Sequence, residues 1–251
     1  MLARLGGYDL MALFGALYQD ESGGHTRDGR IGIATSLARV DHWLRFAEVW
    51  QPILRAADRE TTFHAVNADA VQTKLNLRLA SLMKRFGVFT TCITLRQEDF
   101  AAATESTDRS RYGGPFGFAR YLSLFVMGQH LRTADQGEAA YLVEAGGKGY
   151  TWFIRILAGV YASDDLRREY RMASFGPSDR RKHLPAHAPD LVSHEVITAR
   201  HTSEPLRILG GHVEIIDVSK DLMTEAMASF RRMRRVLMQH RDAARRARKK
   251  R

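Results

Sequence analysis

Three acidic residues of this chain lie where their carboxylates could take part in chemistry. Asp20 follows the apolar run LMALFGALYQ, Glu144 closes the run AAYLV before two glycines, and Asp190 precedes an apolar segment in HAPDLVSHEV. Each has an ordinary local explanation, as a turn former, a strand-end acid or an acid in the first turn of a helix. A carboxylate at a strand tip can equally be an oxygen ligand for a metal ion. The elements that carry these acids therefore have to be identified.

Alternating and continuous apolar runs predict several strands, most of them early in the chain. LMALFGALYQD and IGIATSL predict a hairpin whose connection, ESGGHTRDGR, is long and polar, with the first strand ending at Asp20. Further strands are predicted from TTFHAV, VFTTCITL, AAYLVEAGG and, last, LRILGGHVEIIDVS.

Apolar residues spaced three and four apart predict helices between and after these strands. The first is capped by Asp41 and has an apolar face of Trp43, Phe46, Ala47, Trp50, Ile53 and Leu54. The others are predicted at about 68–86, 116–131, 150–171, from 189 and from 220 onward. The segments DRSRYGGPFG and SFGPSDRRKH are predicted to be loops.

These elements indicate an α/β fold with a mixed sheet flanked by helices, because the opening hairpin is antiparallel and later strands are joined through helices. A chain of 251 residues can form one such domain with a substantial core. We predict a domain over residues 1–219, followed by a C-terminal helix and basic tail over 220–251.

The net charge of +10 is concentrated at the C-terminus. Residues 231–251 hold eleven of the 38 Lys and Arg residues and one of the 28 acids, which leaves 27 of each elsewhere. Such a tail is typical of contacts with nucleic acid phosphates, although a solvated helix end would look the same. The predicted nucleic-acid contacts are Arg231, Arg232, Arg234, Arg235, Arg245, Arg246, Arg248, Lys249, Lys250 and Arg251.

Several other chemistries are disfavoured. The single cysteine, Cys92, lies in an apolar run, which indicates a buried, unreactive thiol in a reducing, cytoplasmic setting. GGKG at 146–149 is no Walker loop, because Leu142 and Gly149 stand where Gly and Ser or Thr are required. The apolar runs are too short to span a bilayer. The histidines show no metal-binding motif, and His194 is expected at the surface.

Beyond these local patterns, the chain resembles a known family. DESG at 20–23 after an opening strand is similar to the hallmark of the family called domain of unknown function 3800, in the RNase H-like (retroviral integrase-like) superfamily. Further similarities follow in order: FAEVWQPIL, FHA at 63–65, LVEAGGKG and LPAHAPDLVSHEV. Pro189 departs from the alanine usual in the family, but proline is acceptable in the first turn of a helix.

The resemblance implies a carboxylate triad for metal-dependent catalysis, made of Asp20, Glu144 and Asp190. It implies Glu21 and Glu195 as additional metal ligands, although Glu21 should face away from Asp20 unless the strand ends between them. His64 and Ser22 are expected to support the site, with Ser22 also shaping the turn.

The implied activity is hydrolysis of phosphodiester bonds in DNA or RNA. Two Mg²⁺ or Mn²⁺ ions held by clustered carboxylates can activate water and stabilise the leaving oxygen. Two alternatives stay open: a nucleic-acid-binding protein without catalysis, and a nucleotide or sugar-phosphate hydrolase with the same metal site. The sequence leaves the oligomeric state open.

Overall fold

The computed structural model describes residues 15–23, 29–60, 63–65, 69–104, 109–134, 137–202 and 212–249. In this part of the chain six strands form one sheet: β1 (Gly15–Gly23), β2 (Arg30–Arg39), β3 (Phe89–Arg96), β4 (Ala139–Glu144), β5 (Met172–Ser178) and β6 (Val213–Asp217). The same ranges contain eight α-helices: α1 (Val40–Ala56), α2 (Ala70–Arg85), α3 (Gln97–Ala103), α4 (Gly114–Thr133), α5 (Tyr150–Ala162), α6 (Asp164–Glu169), α7 (His187–Thr202) and α8 (Lys220–Lys249).

The sheet is mixed, and its strand order is β5-β4-β1-β2-β3-β6. The strand β2 is antiparallel to both of its neighbours, β1 and β3. The other pairs, β1 with β4, β4 with β5 and β3 with β6, are parallel. All strands except β2 therefore end at the same edge of the sheet, and side chains at their carboxyl ends can meet there.

Helices cover both faces of the sheet, because alternate residues of the strands point to opposite sides. Leu17 of β1 belongs to a core formed with α4, α5 and α8. Its neighbours Ala16 and Tyr18 belong to a second core, formed with α1, α2 and α7. The predicted α/β fold with a mixed sheet between helices is confirmed.

The structure corrects the strand predictions in three places. The strand β1 continues to Gly23, so Asp20 does not end it. Phe63, His64 and Ala65 form no strand, and the rest of TTFHAV lies outside the described residues. The strand β5 includes SFGPS, the first half of the predicted loop SFGPSDRRKH. It lies at the sheet edge, where Pro177 can be accommodated although it lacks a backbone N–H.

Two helix predictions are also corrected. The helix expected at 150–171 is divided at Ser163, whose hydroxyl accepts from Leu166 N–H and caps α6. The sequence GGPFG is not a loop, because its last four residues form the first turn of α4. Gly113 precedes that turn at φ +72°, and a Cβ there would lie 2.3 Å from the Trp152 ring.

The basic C-terminal segment continues a packed helix. Five side chains of α8 are buried against the core: Met223, Ala226, Met227, Phe230 and Met233. The predicted tail at 231–251 therefore begins inside the packed part of α8, and the helix continues to Lys249. No helix in the described ranges is long and apolar enough to cross a membrane.

Candidate metal-binding active site

Asp20 and Glu144 are neighbours at the carboxyl ends of two parallel strands. The register pairs Gln19 of β1 with Val143 of β4, which places the next residue of each strand side by side. The two carboxyl groups interact, and this proximity helps to raise the pKa of Asp20. Asp20 is 4% exposed, and its Oδ1 also accepts from the N–H of Glu21 at 2.7 Å.

Asp190 reaches the same edge of the sheet from the first turn of α7. This helix packs across β1 and β2, and Gly32 permits the approach, since a Cβ there would lie 3.0 Å from Ile197 Cγ1. The N–H of Ala65 donates to Asp190 Oδ2 at 3.0 Å, and His64 Nδ1 lies 3.4 Å from Asp190 Oδ1. The segment FHA thus holds the carboxylate of Asp190 in position from one side.

The environment affects the two buried aspartates in opposite directions. Burial raises the pKa of Asp20 well above its ordinary value, and the hydrogen bond with Glu144 and the charge of Asp190 raise it further. Burial also acts to raise the pKa of Asp190. The contacts of Asp190 with His64, Ala65 N–H and Arg180 outweigh that effect, and its pKa is lowered. Asp20 is therefore the acid of this cluster that most favours a proton.

Arg180 lies between two of the three acids. Its Nε is 3.6 Å from Glu144 Oε1, and its Nη1 is 3.8 Å from Asp190 Oδ1. The same residue is fixed through its backbone, because its carbonyl oxygen is 2.9 Å from His187 Nε2. Trp50 Nε1–H donates to His187 Nδ1 at 2.9 Å, so the proton of the neutral ring is on Nε2 and points to Arg180.

Glu21 contacts a buried arginine and a loop N–H on the other side of the strand from Asp20. It points to the opposite face of β1, where the fully buried Arg120 forms an ion pair with its carboxylate. The N–H of Lys148 donates to Glu21 Oε1 at 2.9 Å. A Cβ at Gly147 would lie 2.0 Å from that oxygen, so only glycine allows this approach. Glu21 therefore joins β1 to the β4–α5 loop instead of being a free ligand.

The remaining predicted site residues differ in their positions relative to Asp20 and Asp190. Ser22 is half-buried inside β1, not in a turn, and shares the strand face of Asp20. Glu195 is five residues beyond Asp190, which places it on a different side of α7, and burial raises its pKa. His194, at the i+4 position, is the residue that faces Asp190. Burial lowers its pKa, while the charges of Asp190 and His64 act in opposite directions.

The donor set of this cluster suits Mg²⁺ or Mn²⁺, because carboxylates supply hard oxygen ligands and their mutual repulsion disfavours the ionised cluster alone. Within the described ranges, however, no three His, Cys, Asp or Glu side chains are already arranged as a metal site. Arg180 and His64 both contact the same Oδ1 of Asp190. The guanidinium of Arg180 therefore lies beside the carboxylates that a divalent ion would need.

The arginines at 231–235 of α8 lie away from this cluster. Arg232 forms an ion pair with Glu169 at 2.8 Å, and Glu169 lies just before β5 begins. The first residue of β5 pairs with the first residue of β4, at the opposite end of the strands from Glu144. The six residues of β4 span about 17 Å between these ends. Arg231, Arg234 and Arg235 are on the same helix and exposed or nearly so. The remaining predicted nucleic-acid contacts lie in the part of α8 beyond residue 239 or, for 250 and 251, outside the described residues.

Sequence reasoning missed Arg120, Arg180, His187 and His194. A charged residue inside the apolar segment FGFARYLSLF could have indicated that Arg120 has a buried acidic partner. The i+4 spacing could have placed His194 beside Asp190. No local sequence pattern indicates Arg180, because its position depends on the strand β5, which was not predicted.

Comparison with known proteins gives no match: no family model matches the sequence, no curated protein matches it, and no solved structure matches the fold.

Proposed function

We propose that this protein is a metal-dependent nuclease with an RNase H-like fold, which hydrolyses phosphodiester bonds in DNA or RNA. The fold assignment is supported by the order β3-β2-β1-β4-β5 with only β2 reversed, which is the strand order that defines RNase H-like proteins. The additional strand β6 extends the sheet beside β3.

One observation carries the proposal. Asp20, Glu144 and Asp190 come from two strands and a helix, yet their carboxyl groups form one largely buried cluster at the carboxyl end of the central strands. Burial of several acids together is energetically unfavourable, and a cluster of this kind is characteristic of a functional site. Bound Mg²⁺ or Mn²⁺ would supply an activated water and stabilise the leaving oxygen. The three carboxylates would hold the ions, and the strand ends would fix the separation of the ligands.

The basic part of α8 supports nucleic acid as the substrate class, since its charge excess would bind phosphates with little dependence on sequence. Its distance from the acids indicates that it retains the polymer and does not take part in the reaction.

The test is an activity screen on single- and double-stranded DNA and RNA with Mn²⁺. We expect at least one substrate to be shortened, and we expect Asp20→Asn and Asp190→Asn to abolish this cleavage. Asp165→Asn is the matched control, because it makes the same change at an exposed aspartate of α6, which lies outside the cluster. Cleavage that persists in both aspartate variants would refute the nuclease proposal and favour a binding protein without catalysis.

A further inference from the structure

Arg180 differs from the other arginine near the site in how its guanidinium is held. Arg120 is completely buried and donates hydrogen bonds to Gln19, Glu21 and the carbonyl of Lys148. The side chain of Arg180 is 29% exposed, and its contacts with Glu144 and Asp190, at 3.6 and 3.8 Å, are longer than hydrogen bonds. Arg120 is held by several hydrogen bonds, whereas the guanidinium of Arg180 contacts the described part of the chain through two long ion pairs.

The backbone of Arg180, in contrast, is firmly positioned. The turn that carries it is closed by hydrogen bonds from Lys182 N–H and His183 N–H to the carbonyl of Asp179, at 2.9 and 2.8 Å. The N–H of Asp179 is in turn 3.0 Å from His183 Nδ1. Together with the bond from His187 to the Arg180 carbonyl, these contacts fix the base of the side chain beside the acids. A partly exposed head group without close hydrogen bonds, on a fixed backbone, suits a side chain that changes partners.

We propose that Arg180 is a phosphate-binding residue that neutralises Glu144 and Asp190 in the metal-free protein and turns to the substrate when a divalent cation takes those carboxylates. The inference rests on the proposed function and identifies a residue for it. A divalent ion at Glu144 and Asp190 would repel the guanidinium. It would also neutralise the two carboxylates that attract the guanidinium. A guanidinium forms bidentate, charge-assisted hydrogen bonds with a phosphate, and a phosphodiester at the metal site would lie within its reach.

Two measurements on the full chain test this inference. The first is Mn²⁺ affinity without nucleic acid, by calorimetry, for the wild type and for Arg180→Gln. Removal of the competing cation should make Mn²⁺ bind several-fold more tightly. The second is binding of a fluorescent single-stranded DNA 12-mer in the presence of Ca²⁺, by anisotropy. Removal of a charge-assisted hydrogen bond to phosphate should weaken this binding about tenfold.

Arg181→Gln is the control, because it removes one exposed positive charge from the same turn and should change both affinities less than twofold. Arg180→Lys, which keeps the charge but loses the bidentate geometry, should fall between the wild type and Arg180→Gln in both measurements. Arg180→Lys also tests the inference if Arg180→Gln is poorly folded. Unchanged or weaker Mn²⁺ binding in both Arg180 variants would overturn the inference, as would unchanged DNA binding.

The outcomes separate this inference from the nuclease proposal. If the wild type cleaves nucleic acid but the Arg180 variants keep wild-type affinities, the inference fails and the nuclease proposal stands. If the wild type cleaves nothing and Arg180→Gln still gains Mn²⁺ affinity and loses DNA affinity, the inference stands and the catalytic proposal fails.

Discussion

The carboxyl groups of Asp20 and Glu144 lie close enough near the carboxyl ends of β1 and β4 to raise the pKa of Asp20, although the two residues are far apart in the sequence. Two carboxyl groups in such proximity repel each other when both are ionised, so the metal-free cluster favours a proton on Asp20. A metal ion that takes both carboxylates has to displace that proton. Stability, metal affinity and pH are therefore linked at this site.

Asp20→Asn should stabilise the metal-free protein at pH 8. The folded-state pKa of Asp20 is raised above its unfolded value, so the folded state binds more protons between the two, and the group's contribution to stability is lost as the pH rises through that window. Asparagine has no charge to bury, and its amide can keep the contacts with Glu21 N–H and Glu144. We expect the Tm to rise by at least about 2 °C, the shift that 1 kcal/mol causes in a chain of this size. A lower Tm at pH 8 would show that ionisation of Asp20 does not destabilise the folded protein.

Millimolar Mg²⁺ or Mn²⁺ should raise the Tm of the wild type, because a ligand that binds only the folded state stabilises it by mass action. The shift should be larger at pH 8 than at pH 5.5, since protons compete with the ion for Asp20. Differential scanning fluorimetry with both ions measures this, and Asp20→Asn is the control that should lose most of the shift. No shift with either ion up to tens of millimolar would argue strongly against a metal site.

Arg120→Met should be strongly destabilising, because it leaves Glu21 in a largely buried position without its counter-charge. Removal of one partner of a buried ion pair costs about 3–5 kcal/mol, and urea denaturation would show a loss of about 3 kcal/mol or more. The double variant with Glu21→Gln should recover part of this loss. If the double variant is no more stable than Arg120→Met, the arginine acts through Gln19 and the Lys148 carbonyl instead.

His187 should give the protein an acid-sensitive stability. Burial lowers the pKa of His187 to about 4, so the unfolded chain binds the proton more readily, and the folded state loses stability as the pH falls from about 6.5 through 4. The full effect is about 3 kcal/mol. His187→Gln can still accept from Trp50 and donate to the Arg180 carbonyl without titrating. Urea denaturation between pH 7 and pH 4 should therefore show a shallower decline for this variant, and parallel curves would contradict the assignment.

Removal of residues 240–251 should weaken nucleic acid binding and leave the core intact. Truncation from 231 would delete Met233, which is buried, and Leu237, which packs on Gly159, so the cut has to be made later. The truncated protein should show a flatter salt dependence, because each phosphate of duplex DNA that it no longer neutralises lowers the log–log slope by about 0.9.

Cleavage of short oligonucleotides at saturation should be unaffected by this truncation, since Arg232 lies about 17 Å from the acids and the deleted residues come later in the same helix. Asp190→Asn should show the reverse pattern, with binding retained and cleavage abolished. If the truncated protein cannot cleave saturating short substrates, the tail contributes to the active site.

The sequence alone determined the class of the fold and the three acids. Hydrophobic periodicity is a local property, so it located β1, β2, β3 and β4 and most helices, and it predicted the mixed sheet. The chain order of DESG, FHA, LVEAGG and HAPD singled out Asp20, Glu144 and Asp190, because each follows or begins a recognisable element. Strand alternation correctly indicated that Glu21 faces away from Asp20.

Only the tertiary structure decided what surrounds these acids. The strand β5 carries Pro177, which suits a sheet edge, and a local pattern does not show where an edge lies. The position of Arg180 between Glu144 and Asp190 depends on that strand. Arg120 and His187 likewise depend on partners far away in the sequence. Their contacts arise from long-range packing and not from local propensity, since electrostatics and burial act through space while sequence patterns act along the chain.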